Sequence, residues 1–351
     1  MRKNSGIARL VCLFSICIAL ISYNAYSFCF KGRSAKTAFT QISADDTLSL
    51  KEETPTENVP SEETTSSETS EESAQSTAAS TAASTDGSVK GKVISRYISP
   101  YNAGLSYSGV YMKNSTDLTV NIKELLSSPL SFKITKTDSP QVLIVHTHTT
   151  ETYMTEEADY YTSAFSSRSR DSEKNMVSVG KIVAEKLNNA GIKTLHDTTE
   201  HDYPNYTGSY SRAAKTINNY LKKYPTIKIV LDLHRDAVSS GDSDKVKLVT
   251  DINGKKAAQV MLVMGSQSGS VKNFPKWKEN LKLAVRLQQK IEKKYPTLAR
   301  PLSLMPKNYN ESLSTGSLLI EFGTDVNTLT EAHYSAELVG NALAELLGEI
   351  T

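Results

Sequence analysis

The sequence predicts an α/β fold in which a mostly parallel β-sheet is flanked by helices on both faces, with an added hairpin. Two observations carry this prediction. Downstream of Pro140, short apolar runs of strand length alternate with longer segments of helical periodicity, which is typical of a parallel sheet covered on both faces. In addition, Asn253-Gly254 separates two strand-like runs, a strong signal for a two-residue hairpin turn.

The predicted strands are short, continuous apolar runs, as expected for strands that are buried on both faces. The runs are Gln141–His146, Ile192–Leu195, Ile227–Leu233 and Leu318–Phe322, and the arms of the hairpin are Val246–Ile252 and Ala257–Val263. In sheets of this kind, ligands bind at the carboxyl ends of the strands. The residues that follow each run are therefore the first candidates for a functional site.

The predicted helices are marked by apolar periodicity and by the residues that begin or end them. Gly191 follows the first helix as a C-cap, Pro225 ends the second, and Thr328 with Glu331 forms a capping box before the last. The helices are Lys174–Asn189, Ser211–Tyr224, Trp277–Tyr295 and one that begins after Thr328, with a shorter helix near Asn121–Leu126. They supply the layers that cover the sheet.

Composition divides the chain into four parts. Residues 1–33 are predicted as a signal anchor, and residues 34–92, rich in Ser, Thr, Glu and Ala, as a disordered tether. A segment with so few large apolar residues cannot bury enough surface to offset the entropy of ordering. Residues 93–138 are predicted as an N-terminal extension packed on the main domain. The main domain comprises residues 139–351 and is predicted to contain the catalytic site.

The N-terminal segment has the pattern of a membrane-targeting sequence. An uncharged run from Leu10 to Phe30 follows a basic N-terminus, and as a helix it would span ~31 Å, about the hydrocarbon thickness of a bilayer. Two interpretations stay open: an uncleaved anchor, which we favour, and a signal peptide cleaved near Ala25-Tyr26-Ser27. Either places the rest of the chain outside the cytoplasm, in the first case as a single-pass membrane protein.

Charge and cysteine content exclude several classes of function. The formal net charge is +2 and no basic stripe with interleaved aromatic residues occurs, which argues against a nucleic-acid partner. The three cysteines are Cys12, Cys17 and Cys29, all in or beside the N-terminal apolar run. A cysteine nucleophile, a cysteine zinc site and a disulfide framework are therefore excluded for the main domain.

Three of the predicted strands deliver His or Glu residues to their carboxyl ends. The sequences there are HTHTTE (146–151), HRDA (234–237) and EFGTD (321–325). Because the carboxyl ends of parallel strands meet at one edge of the sheet, we expect these side chains to converge. Histidine and carboxylate ligands with one position left for water are typical of a catalytic zinc ion, which activates that water for hydrolysis.

The predicted zinc ligands are His148, Glu151 and His234, and Glu321 is the predicted general base and acid. His146 stays open as an alternative to His148, because residues i and i+2 lie on the same side of a strand and the position of the turn is not settled by spacing.

The residues around His234 have two possible roles. Arg235 and Asp236 are predicted to support the site or to face the substrate. Asp232 and Asp236 could orient the His234 imidazole. Alternatively, Asp236 forms an ion pair with Arg235 or with another arginine.

Five stretches of the sequence resemble the sporulation stage II protein P family of endospore-forming Firmicutes. The stretches are VLIVHTHTTETY (142–153), NMVSVGKIVAEKLNNAGI (175–192), LHDTTEHDYPNYTGSYSRA (195–213), IVLDLHRDA (229–237) and LLIEFGTDVNTLTEA (318–332). They cover most of Gln141–Ala332 in order. The resemblance implies a membrane-anchored peptidoglycan hydrolase of the sporulation septum that acts during engulfment, with the stage II sporulation proteins D and M as partners.

More distantly, the chain is similar to the zinc-dependent N-acetylmuramoyl-L-alanine amidases. LDLHRDA and IEFGTDVNT match the amidase pattern, which implies that His234 is a ligand and Glu321 the base. Glu173, at the head of the next helix, occupies the amidase-like carboxylate position and is an alternative to Glu151, which we favour by its proximity to His148. The similarity implies Zn²⁺ as cofactor, cleavage of the muramyl–peptide amide bond, and a second, endopeptidase activity on peptide cross-links.

A tyrosine-rich stretch between two predicted elements is a candidate substrate loop. It begins at His201 and continues through Tyr203 to Tyr210. A polar surface turn is the alternative interpretation of this stretch.

Two other functions stay open. A zinc exopeptidase acting on free peptides would need more acidic ligands for a second metal, and these are not evident in the sequence. A non-catalytic wall-binding module would have no need of a strand-end carboxylate such as Glu321.

Overall fold

The computed structural model describes residues 87–350. The predicted anchor, most of the predicted tether and all three cysteines lie outside the described residues. Among the helices of residues 87–350, none is both long and apolar enough to cross a membrane.

The described chain alternates strands and helices along most of its length. The strands are β1 (Val89–Arg96), β2 (Leu105–Tyr107), β3 (Val110–Asn114), β4 (Val142–Val145), β5 (Tyr160–Thr162), β6 (Thr194–His196), β7 (Ile229–Asp236), β8 (Ser239–Ser240), β9 (Asp244–Ile252), β10 (Lys255–Ala258), β11 (Val260–Gly265), β12 (Leu302–Met305) and β13 (Ser317–Thr324). The helices are α1 (Ile122–Ser127), α2 (Met176–Asn189), α3 (Ser209–Lys223), α4 (Trp277–Lys294) and α5 (Leu329–Glu349). Short 3₁₀ turns are formed by Pro100–Asn102 and Glu311–Leu313.

The main sheet has eight strands in the order β2-β3-β12-β11-β13-β7-β4-β6. Strands β13, β7, β4 and β6 are parallel neighbours. Strand β11 runs antiparallel to β13, and β12 and β3 are parallel to β11. The predicted fold class, a mostly parallel sheet in an α/β arrangement, is confirmed, and the sheet reverses direction once in its interior, between β13 and β11.

Helices cover both faces of the main sheet. In β4, Val142 and Ile144 belong to the larger core, which also contains the apolar residues of α2, α4 and α5. Leu143 and Val145 belong to a smaller core that includes Ile217 of α3. Successive strand residues therefore point to opposite layers, as expected from the two-residue period of a β-strand.

A second sheet has the path β10-β9-β1-β5, with β8 paired to β9. Strands β9 and β10 form the predicted hairpin, and Asn253 and Gly254 have the positive φ angles, 51° and 75°, that such a turn requires. The predicted second arm is divided at Gln259, because β11 continues into the main sheet. Between β10 and β11, the side-chain oxygen of Gln259 accepts a hydrogen bond from the backbone N–H of Ile98, and its amide nitrogen donates one to the carbonyl of Ile98.

The ends of the helices agree with their sequence signals. The side chain of Asn175 caps the first turn of α2, and Gly191 follows its end at φ 77°. Thr328 and Glu331 form the predicted capping box of α5. Strand β1 already begins at Val89, inside the segment 34–92 predicted as tether, because it gains pairing with β5 and β9.

Candidate metal and catalytic site

The candidate site lies near the carboxyl ends of β7 and β13, on the face of the main sheet that carries α3. Leu233 and Ile320 belong to the core on the opposite face. Because side chains alternate along a strand, His234 and Glu321 point to the α3 side. The two residues are paired in register on adjacent parallel strands, and both are buried. An imidazole and a carboxyl group thus lie side by side in the protein interior.

Asp232 ties the turn after β4 to β7. Its carboxylate accepts hydrogen bonds from the backbone N and the Oγ1 of Thr147, at 2.8 and 2.6 Å. Its Oδ1 also lies 2.9 Å from Nε2 of His234. That contact is an ion pair without hydrogen-bond geometry, since His234 Nε2 has no hydrogen-bond partner among residues 87–350. Asp232 therefore orients the turn and places a negative charge beside His234.

The turn after β4 brings His148 and Glu151 next to His234. The rings of His148 and His234 meet edge to face, with their centroids 5.3 Å apart. Oε2 of Glu151 lies 3.6 Å from Nδ1 of His234, and all three side chains are buried. The three residues predicted as zinc ligands are thus brought together.

Glu151 is surrounded by positive charge. The backbone N–H of Arg235 donates to its Oε2 at 3.2 Å, and the guanidinium groups of Arg168 and Arg235 lie 3.8 and 3.9 Å from its Oε1. Burial alone would raise the pKa of Glu151, but Arg235 and His234 outweigh burial and hold that pKa well below its ordinary value. Glu151 is therefore ionised, as a carboxylate ligand must be.

The two histidines differ in protonation. Burial lowers the pKa of His148 to about 4 although Glu151 opposes it, so this ring is neutral at pH 7, the form that binds metal. Burial also acts to lower the pKa of His234, but the carboxylates of Asp232 and Glu151 raise it well above its ordinary value. Binding of a metal by His234 would therefore release a proton.

Hydroxyl and aromatic groups at the N-terminal end of α3 and in the loop before it enclose His148. The ring of Tyr206 stacks on it with centroids 4.6 Å apart at an interplanar angle of 12°. Its Nδ1 lies 3.3 Å from Oγ of Ser209, and Tyr210 packs edge to face against the ring. The tyrosine-rich stretch therefore forms one wall of the site.

Glu321 has the properties of a proton-transfer group. Its Oε2 is buried and has no hydrogen-bond partner among the described residues. Burial, reinforced by the negative charge of Asp236, raises the pKa of Glu321 to about 8. A carboxyl group with a pKa near neutrality can both accept and return a proton, which is what a general base and acid must do.

His146 lies on the other face of the sheet from His148. Its Nδ1 is 3.0 Å from the carbonyl O of Leu233, and its Nε2 is 2.8 Å from Nε2 of His196. Both ring nitrogens are therefore engaged beneath α2. The chain turns after Val145, so the two-residue strand period that made His146 and His148 equivalent in the sequence does not continue.

The alternative carboxylate, Glu173, is not in the site. It is exposed in the turn before α2, where its backbone N–H is bonded to Asp171. Burial lowers the pKa of His333 in α5, and the negative charge of Glu173 opposes this shift. The separation arises because the chain between β4 and α2 places Glu151, and not the head of the helix, against Arg235.

The remaining predicted residues have structural partners. Arg235 donates from its guanidinium to the carbonyls of Thr152 and Ser167, and Asp236 pairs with Arg300 at 2.9 Å. His201 is buried and bridges the carbonyl of His146 to the hydroxyl of Thr216. Tyr203 is 47% exposed and its ring lies under Arg170, so of the two loop residues only Tyr203 is accessible to a substrate.

Two site residues have no signal in the sequence. Arg168 bonds Asp202 at 2.5 Å and its guanidinium lies over the ring of Tyr206. Arg300 holds Asp236 from the far side of β13. Each is an isolated arginine in a loop, and its partner is distant in sequence, so neither periodicity nor spacing marks it.

The donor set fits a zinc ion by its chemistry. Two imidazoles and an ionised carboxylate, supported by the charge of Asp232, are the ligand types that catalytic zinc uses. In the described geometry, no three His, Cys, Asp or Glu side chains of residues 87–350 are close enough to hold a metal ion together.

Solved structures with some similarity include two amidases. The N-acetylmuramyl-L-alanine amidase Ami1 from Mycobacterium abscessus is 10% identical, with 60% of this chain and 99% of that chain covered and a TM-score of 0.35. The N-acetylmuramoyl-L-alanine amidase AmiC2 of Nostoc punctiforme is 14% identical, with 61% and 99% covered and a TM-score of 0.36. TM-scores this low do not establish a common fold.

Sequence comparison is more specific. The Stage II sporulation protein P of Bacillus subtilis (strain 168) is 29% identical over 228 residues, which are 61% of this chain and 53% of that protein. The chain thus spans about half the length of the curated relative it matches. The family model for Stage II sporulation protein P (SpoIIP) matches residues 24–344, and the chain therefore belongs to the stage II sporulation protein P family.

Proposed function

We propose that this chain is a zinc-dependent peptidoglycan hydrolase of sporulation that cleaves the N-acetylmuramoyl-L-alanine amide bond and also peptide cross-links. The observation that carries the proposal is the pairing of Glu321 with His234 on adjacent strand ends, beside His148 and Glu151. A carboxyl group able to exchange protons next to a set of zinc-type ligands is the arrangement that metal-assisted amide hydrolysis requires.

His148, Glu151 and His234 would hold the zinc ion. A bound zinc ion supplies Lewis acidity, which lowers the pKa of water toward ~7 and polarises an amide carbonyl. Membership of the family supports the substrate class.

Glu321 carries the proton through the reaction. In the first step its carboxylate takes a proton from water while the water oxygen bonds to the amide carbonyl carbon. In the second step the C–N bond breaks, and the protonated Glu321 returns that proton to the leaving nitrogen, which becomes an amine. Because both the muramyl–peptide bond and the cross-link are amides, one site can serve both reactions.

We also propose that the protein works outside the cytoplasm, at the sporulation septum, anchored by Leu10–Phe30 and acting with the stage II sporulation proteins D and M. The basic flank and apolar run of the N-terminus support the anchor, and the family supports the setting. Digestion of sporulating cells with an external protease after wall removal would test the orientation. Protection of the main domain from that protease would contradict an extracytoplasmic location.

The decisive experiment measures zinc content and wall hydrolysis on the same preparations of the full chain. Purified peptidoglycan is the substrate, and the fragments are identified by mass. Amide cleavage releases free stem peptides and leaves the glycan reducing ends intact, whereas cross-link cleavage produces cut peptide bridges. We expect wild type to release both kinds of product with about one zinc per chain, as a single three-ligand site predicts.

Variants separate the roles of the residues. Glu321→Gln should retain zinc and wall binding but lose ~10²–10⁴-fold in rate, the usual contribution of general acid–base catalysis. His234→Ala and Glu151→Gln should lose zinc, while Glu173→Gln should keep it. A folded wild-type chain that binds the wall without metal or cleavage would refute the hydrolase and favour the wall-binding module. Release of amino acids only from free peptides would favour the exopeptidase.

A further inference from the structure

Arg300 is a buried arginine with few partners. Its side chain is 2% exposed, and its Nη1 lies 2.9 Å from Oδ2 of Asp236. Its Nε and Nη2 are buried and have no hydrogen-bond acceptor among residues 87–350. These two atoms form the edge of the guanidinium that presents parallel N–H groups to a carboxylate. Most of the hydrogen-bonding capacity of this cation is thus unused by protein groups.

Arginines that only support the fold use their donors differently. Arg286 of α4 donates to four backbone carbonyls, those of Leu125, Leu126, Ser128 and Lys282. Its donors clamp α1 onto α4. A buried cation that leaves donors unpaired is costly, so the position of Arg300 calls for an explanation other than clamping the backbone.

The strand order places Arg300 beside the reaction site. Its backbone N–H is bonded to the carbonyl of Val260 in β11, and the next residue of β11, Met261, pairs in register with Glu321 of β13. On the other side of β13, β7 carries His234 and then Asp236. The Arg300–Asp236 ion pair therefore crosses β13 close to Glu321.

The two members of this ion pair lie on either side of β13, at the level of Glu321. Oε2 of Glu321, like the free edge of Arg300, is buried and has no hydrogen-bond partner among the described residues. At short range a buried cation favours, and a carboxylate opposes, a negative charge on a neighbouring group. The position of Arg300 is therefore suited to offset the charge of Asp236 next to Glu321.

We propose that Arg300 is a positioning residue for Glu321, which it supports by neutralising Asp236 and by countering the negative charge of the Glu321 carboxylate. The inference rests on the proposed function, in which Glu321 moves the proton. Arg300 acts on the rate of proton transfer rather than on metal or substrate binding.

The test measures kcat and KM of the full chain on a soluble muropeptide prepared from purified peptidoglycan. Arg300→Met should lower kcat by about 10- to 100-fold, part of the ~10²–10⁴-fold supplied by general acid–base catalysis, with KM and zinc content unchanged. Arg300→Lys keeps the charge and should recover part of kcat. The double variant Arg300→Met/Asp236→Asn removes both charges and should be faster than Arg300→Met alone.

Arg286→Met is the matched control, because it removes a partly buried arginine far from the site. It should lower the thermal midpoint and leave kcat of the folded fraction unchanged. If Arg300→Met does not fold, Arg300→Lys and the double variant carry the test by the same comparison with wild type.

Three outcomes would overturn the inference. They are a normal kcat in Arg300→Met, a loss confined to KM, which would make Arg300 a substrate contact, and a double variant no faster than the single one. Failure of the proposed function looks different, because wild type and Glu321→Gln would then be equally inactive on the muropeptide. Active wild type, inactive Glu321→Gln and normal Arg300→Met would reject only the role of Arg300.

Discussion

His146 and His196 share a hydrogen bond beneath α2, with their Nε2 atoms 2.8 Å apart. The rings meet edge to face at an interplanar angle of 78°. Gly180 of α2 lies directly above them, and a Cβ at that position would come within 2.6 Å of both Nε2 atoms. The pair therefore forms a structural joint between β4, β6 and α2, on the face opposite the candidate site.

Substitution of Gly180 by alanine should destabilise the protein. The new methyl group would lie 2.6 Å from two hydrogen-bonded rings, and overpacking of this kind costs ~1–3 kcal/mol. This cost exceeds the gain of up to ~1 kcal/mol that alanine usually brings to a helix. Denaturant unfolding monitored by circular dichroism measures the difference.

Gly348→Ala in α5 is the matched control for Gly180→Ala. A Cβ at Gly348 would meet no atom within 4 Å, so only the helix preference of alanine remains and stability should not fall. Equal stability of the two variants would show that α2 can shift away from the histidine pair.

The histidine pair should make stability depend on pH. Burial lowers the pKa of His196 to about 4, although Asp197 opposes it, and lowers that of His146 to about 3. In the unfolded chain both titrate near ~6.5. The unfolded state thus binds more protons below pH ~6.5, and the free energy of unfolding should fall as pH drops from ~6.5 toward ~4, by at most about 1.4 kcal/mol per pH unit for each histidine.

A His196→Gln variant tests the pH dependence. It removes one of the two titrating groups, so the decline of stability between pH 6.5 and 4 should be shallower than in wild type, as the linkage relation requires. Parallel curves for the two proteins would mean that other groups, such as His148, whose pKa burial also lowers to about 4, cause the loss of stability at acid pH.

Glu331 should contribute strongly to stability through a buried ion pair. Its Oε1 lies 3.1 Å from Nζ of Lys247, and both side chains are almost fully buried. Glu331→Ala also removes the capping box of α5. Without Glu331, the buried Lys247 keeps only the half-exposed carboxylate of Glu157 as a partner, 2.9 Å away. We therefore expect the free energy of unfolding to fall, by up to about 3–5 kcal/mol, the loss seen when a buried charge loses its partner.

Lys256 provides the comparison for the buried pair. It bonds the same Glu157 oxygen as Lys247, at 2.7 Å, but its side chain is 54% exposed. Lys256→Ala should therefore change stability by no more than ~1 kcal/mol, as is usual for exposed pairs. A similar loss in Lys256→Ala and Glu331→Ala would refute the dependence on burial.

Removal of metal should lower the thermal stability of the full chain. An ion that binds only the folded state stabilises it in proportion to the logarithm of its concentration over Kd. A chelator should therefore reduce the thermal midpoint of wild type and leave that of His234→Ala unchanged. His148→Ala should behave like His234→Ala, whereas His146→Ala should lose stability and keep its response to the chelator.

Substitution of each histidine of HTHTTE in turn tests which of the two is a zinc ligand. If His146→Ala abolishes zinc binding while His148→Ala retains it, the ligand assignment is wrong. Zinc content of the purified variants, measured by mass spectrometry, decides the point independently of catalytic activity.

Much of the architecture could be predicted because it depends on local pattern. The apolar runs that became β4, β7 and β13 are buried on both faces, and burial requires apolar side chains at successive positions. The caps of α2 and α5 were predictable for the same reason, since a cap satisfies backbone groups within a few residues of itself. The hairpin at Asn253-Gly254 follows from the positive φ angles that these residues tolerate.

The division of the second hairpin arm was not predictable from pattern. Ala257–Val263 is a continuous β-type run, yet β10 and β11 belong to different sheets. The break occurs at Gln259, whose amide is held by Ile98 and by the carbonyl of Thr297. Those partners are distant in sequence, so local periodicity contains no trace of them.

The sequence by itself determined the strands, the helices and the chemical types at the strand ends, because hydrophobic burial and capping act between near neighbours. Only the tertiary structure placed His146 under α2 and His148 beside His234. It alone paired Arg168 with Asp202 and Arg300 with Asp236, which are 34 and 64 residues apart. Ion pairs and the faces of a turning chain depend on where distant segments meet, and that is decided by the packing of the whole sheet.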